Sequence, residues 1–98
     1  MTDGRKSYLI AYDINDDVRR SRIAKILQSH GERLQYSVFL IRIRPSKLLK
    51  IKVLVEDEID SSVDSILICD LGSSDREKQS MTFIGRRGYR DTVIPMIV

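Results

Sequence analysis

The sequence predicts an α+β domain in which short strands alternate with two helices. Strand-like apolar runs occupy residues 7–14, 32–44 and 64–72, and the two segments between them carry apolar residues at helical spacing. With 98 residues, the chain is long enough for one domain. We therefore expect a single domain over residues 1–98, with one sheet and two helices.

The first strand is predicted at residues 7–14, SYLIAYDI. Residues 15–17 follow, Asn-Asp-Asp, and their short side chains are suited to cap a helix. This helix is expected to end near His30, with Gly31 in the left-handed conformation that often stops a helix. One face of it carries residues at spacings of three and four: Ile23, Ile26, Leu27 and His30.

Residues 32–44 are rich in β-branched and aromatic residues, and they predict either one bent strand or two strands broken near Tyr36 and Ser37. Residues 47–60 fit both an alternating strand and a helical stripe. We favour a helix, because the segment is long and its acidic end, residues 56–60, is unfavourable in a strand.

The remaining strands are predicted at 64–72, at 81–85 and at 92–98. The last contains Pro95, which lacks a backbone N–H group, so this strand should lie at an edge or a junction. The order of elements is βαββαβ with an additional C-terminal strand, which is the ferredoxin-like arrangement. Helices would cover one face of the sheet, and a partner subunit is the simplest cover for the other. We expect a homodimer with 92–98 at its junction.

The net charge of +3 is unevenly distributed, with +6 on residues 1–50 and −3 on residues 51–98. This asymmetry fits a basic face for a polyanionic partner and, equally, two ordinary solvated faces. No apolar run approaches the length of a membrane span, and residues 1–7 lack a signal-peptide apolar stretch, so a cytoplasmic location is expected. No zinc-site pattern or nucleophilic triad is visible.

Two features of the first strand and helix need an explanation. Asp13 places a carboxylate at the end of an apolar strand, where it requires a compensating partner. A cap on the following helix and an ion pair with arginine are alternatives. Arg19, Arg20 and Arg22 place cations at the positive end of the helix dipole, which is unfavourable unless Asp16 and Asp17 or a bound phosphate offset them.

The segments YLIAYDI and RRSRIAKILQSHGERLQYSVF, which together span residues 8–39, resemble the CRISPR-associated protein 2 family. The resemblance implies a ferredoxin-like homodimer in which Asp13 binds a divalent metal. One Mg²⁺ or Mn²⁺ ion would be shared by the two copies of Asp13, which removes the repulsion between paired carboxylates. The chain departs from many members at Leu40, where they carry an acidic residue.

The resemblance also implies further site residues. Tyr12 and Phe39 are candidates for the catalytic site together with Asp13, although core packing is the favoured explanation for both. The candidate nucleic-acid contacts are Arg19, Arg20, Arg22 and Arg33.

The implied function is spacer acquisition in CRISPR immunity, with a homodimer that binds duplex DNA and bridges integrase dimers. Metal-dependent endonuclease activity on DNA or single-stranded RNA is also implied by the resemblance. A toxin-type ribonuclease of the same fold, acting without an integrase, is an alternative. An RNA-recognition module and a small-molecule regulatory domain are others, and the first is disfavoured because SVFLIRI lacks the glycine-flanked aromatic pattern.

Overall fold

The computed structural model of the chain describes residues 4–76 and 81–85. Neither helix within these ranges has the length and apolar character needed to cross a membrane. In chain order, the described elements are β1 (Lys6–Asp13), α1 (Asp17–Gln28), β2 (Gly31–Gln35), β3 (Val38–Ile43), α2 (Pro45–Glu58), β4 (Ser65–Ser73) and a short 3-10 helix (Ser74–Arg76).

The four strands form one antiparallel sheet in the order β2-β3-β1-β4. This confirms the ferredoxin-like βαββαβ arrangement. The ambiguous segment 32–44 is two strands, joined by a turn at residues 36–37, and the ambiguous segment after it is helical from Pro45 to Glu58. The second helix begins at Pro45. A proline is favourable in the first helical turn, because the backbone N–H groups there have no partner within the helix.

The hydrophobic core lies between the helices and one face of the sheet, which we call the covered face. Tyr8, Ile10 and Tyr12 of β1 point to this face, since alternate side chains of a strand share a side. The helices contribute the buried residues Ile23, Leu27, Ile51 and Val55, and β3 contributes Phe39 and Ile41.

The opposite face of the sheet, which we call the open face, carries Leu9, Ala11 and Asp13 of β1. In the strand register, Ala11 lies opposite Val38 on one side and Leu67 on the other, so these apolar side chains belong to the same face. The open face is therefore largely apolar, with a carboxylate at one end.

Residues 81–85 do not form the predicted strand. Met81 and Phe83 instead line a groove together with Leu9, Leu34 and Val38, which come from β1, β2 and β3. The segment thus lies against side chains of the open face, without the backbone pairing of a strand. The predicted strand 92–98 and its place at a dimer junction lie outside the described residues.

Gly31 does not stop α1 in the left-handed conformation, so that prediction is wrong. The helix ends at Gln28, Ser29 is its right-handed C-cap, and Gly31 begins β2 without a positive φ. The glycine is required for a different reason, because a Cβ atom at this position would lie 2.2 Å from the backbone oxygen of Leu40. Close pairing of β2 with β3 depends on it.

We expect Gly31→Ala to destabilise the fold more than Gly72→Ala. A Cβ at Gly31 forces two strands apart, whereas Gly72 has open space and only a positive φ, which costs a side chain about 1–2 kcal/mol. Urea unfolding of both variants measures the difference. Equal losses would show that β2 accommodates the methyl group by a small shift.

Candidate functional site

The carboxylate of Asp13 is exposed at the end of β1, on the open face. Within the described residues, nothing donates a hydrogen bond to it and no cation forms an ion pair with it. The cap of α1 is Asp16, whose side chain accepts a 2.9 Å hydrogen bond from the backbone N–H of Arg19. Neither a helix cap nor an arginine partner in the described chain therefore accounts for Asp13.

One chain supplies few metal ligands at this position. The described residues contain no group of three or more His, Cys, Asp or Glu side chains able to hold an ion. Mg²⁺ commonly keeps several waters and takes only one or two protein carboxylates, so the single Asp13 carboxylate fits half of such a site. A shared Mg²⁺ or Mn²⁺ ion stays a prediction that requires the second copy.

The departure at Leu40 does not remove a neighbour of Asp13 within one chain. Leu40 is 2% exposed and lies opposite Leu9, which is four residues before Asp13. Four strand residues span roughly 13 Å. An acidic side chain at position 40 would thus be too distant to share an ion directly with Asp13 of the same chain.

Tyr12 and Phe39 pack together in the core on the covered face, opposite to Asp13. Their ring centroids are 6.2 Å apart at an interplanar angle of 28°, and Phe39 has no exposed surface. The Tyr12 hydroxyl donates a 3.4 Å hydrogen bond to the backbone oxygen of Tyr36. These positions support core packing, and a catalytic role for either residue stays a prediction.

Arg19 is held by a buried carboxylate. Its Nε and Nη2 atoms donate to Asp64 over 2.7 and 3.3 Å, and the Asp64 side chain is only 1% exposed. The Asp60 backbone N–H donates a further 2.8 Å hydrogen bond to Asp64. The arginine, and then this N–H, hold the pKa of the Asp64 carboxyl below its ordinary value, and the same pair raises the pKa of Arg19. The contact joins α1 to the loop before β4.

Arg20 and Arg22 also have carboxylate partners. Arg20 pairs with Asp17, and its Nη1 donates to the backbone oxygens of Ile14 and Asn15 over 3.2 and 3.1 Å. The Arg22 guanidinium lies 3.5 Å from Glu58 at the end of α2. All three helix-start cations are thus offset by carboxylates of the described chain. Phosphate contact by Arg19, Arg20 or Arg22 stays a prediction.

Arg33 stacks over aromatic side chains at the edge of the sheet. Its guanidinium carbon lies 5.0 Å from the centre of the Phe39 ring and 6.0 Å from that of Tyr36. Arg33, Tyr36 and Tyr12 line a groove of about 370 Å³ that also includes Arg20. The structure therefore brings two of the four predicted nucleic-acid contacts together and places Arg19 and Arg22 elsewhere.

The sequence pattern of the family described as CRISPR associated protein Cas2 matches residues 6–79, most of the chain. The chain belongs to the Cas2 family. A relative from Geobacter sulfurreducens named CRISPR-associated endoribonuclease Cas2 is 30% identical over 79 residues, which are 81% of this chain and 83% of that protein.

Solved structures of the Cas2 family agree with the fold. Cas2 of Streptococcus pyogenes superposes with a TM-score of 0.72 at 28% identity, covering 81% of this chain and 99% of that one. A chain of a partial Cas6-RT-Cas1–Cas2 complex matches with a TM-score of 0.64 at 27% identity, covering 79% and 89%. A Cas2-type fold is thus found in an assembly that includes Cas1.

Two features of this Cas2-family chain were missed in the sequence. Asp64 was placed in a strand, yet it is the buried partner of Arg19, and no local pattern distinguishes it. A second basic groove, of about 320 Å³, lies at the start of α2, where Lys47 and Lys50 follow Pro45. Cations immediately after a helix-starting proline were a signal available in the sequence.

We expect acid to weaken the fold partly through Asp64. A carboxyl with a lowered folded-state pKa contributes stability above its ordinary value of 3.8, and loses that contribution as pH falls through and below it. Asp64→Asn should lower the melting temperature at neutral pH and reduce its further fall in acid. Melting curves between about pH 7 and 2.5 measure this.

Asp57→Asn is the matched control, because Asp57 is exposed on α2 and forms no ion pair with a described residue. It should follow the wild-type pH dependence. If Asp64→Asn also followed the wild-type pH dependence, the Arg19–Asp64 ion pair would not contribute to the loss of stability in acid.

Proposed function

We propose that this Cas2-family chain acts in CRISPR spacer acquisition, as a homodimer that binds nucleic acid and joins integrase subunits. The observation that carries the proposal is Asp13, an exposed carboxylate without a partner in the described chain, at the end of an apolar sheet face. The similar chain in the Cas6-RT-Cas1–Cas2 complex supports an integrase as partner. The excess of cations in residues 1–50 supports a nucleic-acid ligand.

The open face supports the homodimer. Helices cover one side of the sheet, while the other side carries apolar side chains, and Leu67 on the edge strand β4 is 56% exposed there. A two-fold axis places the same patch of both copies in contact, so one apolar face is covered by its equivalent. Asp13 lies on the same face, so an axis that passes near the end of β1 would bring its carboxylate toward its own copy in the second chain.

We expect Leu67→Asp to weaken the dimer. Full burial of a leucine is worth about 1.5–3 kcal/mol, and two-fold symmetry counts the loss twice, so the dissociation constant should rise more than about tenfold. Leu49→Asp is the control, since Leu49 is 61% exposed on α2, away from the sheet. Sedimentation velocity across a concentration series compares them. Equal weakening by both changes, or by neither, would place the interface elsewhere.

The proposal includes metal-dependent endonuclease activity, and the name of the Geobacter sulfurreducens relative, an endoribonuclease, supports its nuclease part. Two carboxylates brought to about 4 Å repel by roughly 4 kcal/mol at an effective dielectric constant of 20. A divalent cation between them removes that cost. When bound, such an ion lowers the pKa of a water molecule and neutralises phosphoryl charge. The role of this chain is to hold the carboxylate of Asp13 rigidly at the strand end.

We expect Asp13→Asn to abolish cleavage of RNA or DNA in Mg²⁺ or Mn²⁺. The change removes the charge at nearly constant shape, and it should also remove divalent-ion binding measured by calorimetry. Since the repulsion disappears as well, the dimer should be as stable as the wild type or more so. Gel assays on purified protein, with Asp57→Asn as an exposed control, give the comparison.

Two results would contradict this assignment. Cleavage at the wild-type rate by Asp13→Asn would remove Asp13 from the reaction. A wild-type protein that binds no divalent ion and cleaves neither RNA nor DNA would overturn the endonuclease function and leave the bridging role.

A further inference from the structure

The start of α2 forms a basic groove, which we call the α2 groove. Five cationic side chains line its volume of about 320 Å³, and no acidic residue is among the lining residues. They come from the residue before β1, the end of β3 and the first turns of α2: Arg5, Arg42, Arg44, Lys47 and Lys50. One carboxylate reaches the edge of the groove, that of Glu32, 3.1 Å from Arg42.

The charge order along α2 is the reverse of the order that stabilises an isolated helix. The first turn holds no acidic residue and no side chain caps the helix, while the last turn is acidic and holds no basic residue. Lys47 and Lys50 therefore add their charges to the positive end of the helix dipole. Their exposure to water limits the local cost, and the two charges stay close to the helix start.

The cations of the two helix starts differ in their partners. Those of α1 are each offset by a carboxylate, at Asp64, Asp17 and Glu58. Arg44, Lys47 and Lys50, by contrast, form no ion pair with any residue that the structure describes. Three cations of the α2 groove are thus left without a carboxylate among the described residues, so the groove attracts an anion more strongly than the start of α1.

The groove is also remote from Asp13. Lys6 at the start of β1 pairs with Ile43 at the end of β3, which places the groove at this end of the strand. Asp13 is at the other end, roughly 25 Å away at about 3.3 Å per residue. Only an extended polyanion reaches both places on one chain.

We propose that the α2 groove binds the phosphate backbone of the nucleic acid that the proposed function assigns to this protein. Lysine and arginine side chains recognise phosphate by charge, so the contact carries no sequence preference. The shared chemistry is a phosphodiester backbone, supplied either by duplex DNA or by single-stranded RNA. The inference rests on the proposed function for the presence of that ligand.

The experiment is a salt titration of binding for Lys47→Gln/Lys50→Gln, on two unrelated DNA duplexes and on one single-stranded RNA. Each phosphate contact contributes about 0.9 to the slope of log K against log salt on duplex DNA, and about 0.7 on a single strand. For each chain that contacts the ligand, the slope should flatten by about 1.8 on duplex or about 1.4 on RNA. Both duplexes should be affected equally, and the ligand that shows the change is the source of the phosphates.

Lys52→Gln/Arg76→Gln is the matched control. It removes the same charge from exposed positions outside the groove. Lysine and glutamine have similar helix propensities, so α2 should remain intact in both variants, which circular dichroism verifies. The control should keep the wild-type slope.

A slope for the groove variant equal to that of the wild type or of the control would overturn the inference. So would a variant that binds both nucleic acids normally but loses its complex with the integrase, because the groove would then be a protein-binding surface. A wild-type protein that binds neither nucleic acid at low salt would overturn the proposed function together with this inference. The Asp13 and Leu67 variants leave the groove intact, so their outcomes are separate from this one.

Discussion

The alternation of side chains along β1 is the constraint on which the rest of the structure depends. Every second residue from Tyr8 to Tyr12 is buried against the helices, so the residues between them must face the other way. A shift of one residue in this strand would bury Asp13 in the core and expose Tyr12. The same alternation that makes the core therefore delivers a carboxylate to an apolar face without burying it among the helices.

Charge compensation gives the two helix starts different roles. At α1, the cap by Asp16 and the ion pairs to Asp64, Asp17 and Glu58 turn an unfavourable charge arrangement into tertiary contacts. At α2, no comparable partners occur for Arg44, Lys47 and Lys50 within residues 4–76 and 81–85. Both helices begin with cations, yet only those at α1 are used to hold the described fold together.

Local patterns predicted both helices and the four strands of the described sheet, because periodicity is local, but they wrongly predicted a strand at 81–85. Ile51 and Val55 belong to a stripe that is buried as a helix predicts, and the break at residues 36–37 is one of the two alternatives that the sequence left open. Gly31 was assigned the wrong role, since a glycine that stops a helix and a glycine that permits close strand pairing are identical in sequence. The geometry at Leu40 distinguishes them, and it exists only once β2 and β3 pair.

The candidate site was less predictable, because its contacts join residues that are distant in the sequence. Arg19 and Asp64 are 45 residues apart in the chain, so nothing near either residue indicates their contact. Tyr12 and Asp13 are adjacent in sequence, and a family motif treats them as one unit. In a strand, however, adjacency means opposite faces. The opposite orientation of Tyr12 and Asp13 could therefore be predicted from the strand alone. The contact between Phe39 and Tyr12 could not, because it forms only when β1 and β3 pair in the sheet.

The two ends of β1 together set a minimum size for a ligand that uses both. Asp13 and the α2 groove are roughly 25 Å apart along the strand, and a duplex rises 3.4 Å per base pair, so about seven base pairs separate them. A mononucleotide or a short product would contact one end only. For the nucleic acid proposed as ligand, only a molecule at least this long contacts both the cations of the groove and the carboxylate of Asp13. Sequence-independent contacts of this kind suit a protein whose ligands differ in sequence from one another.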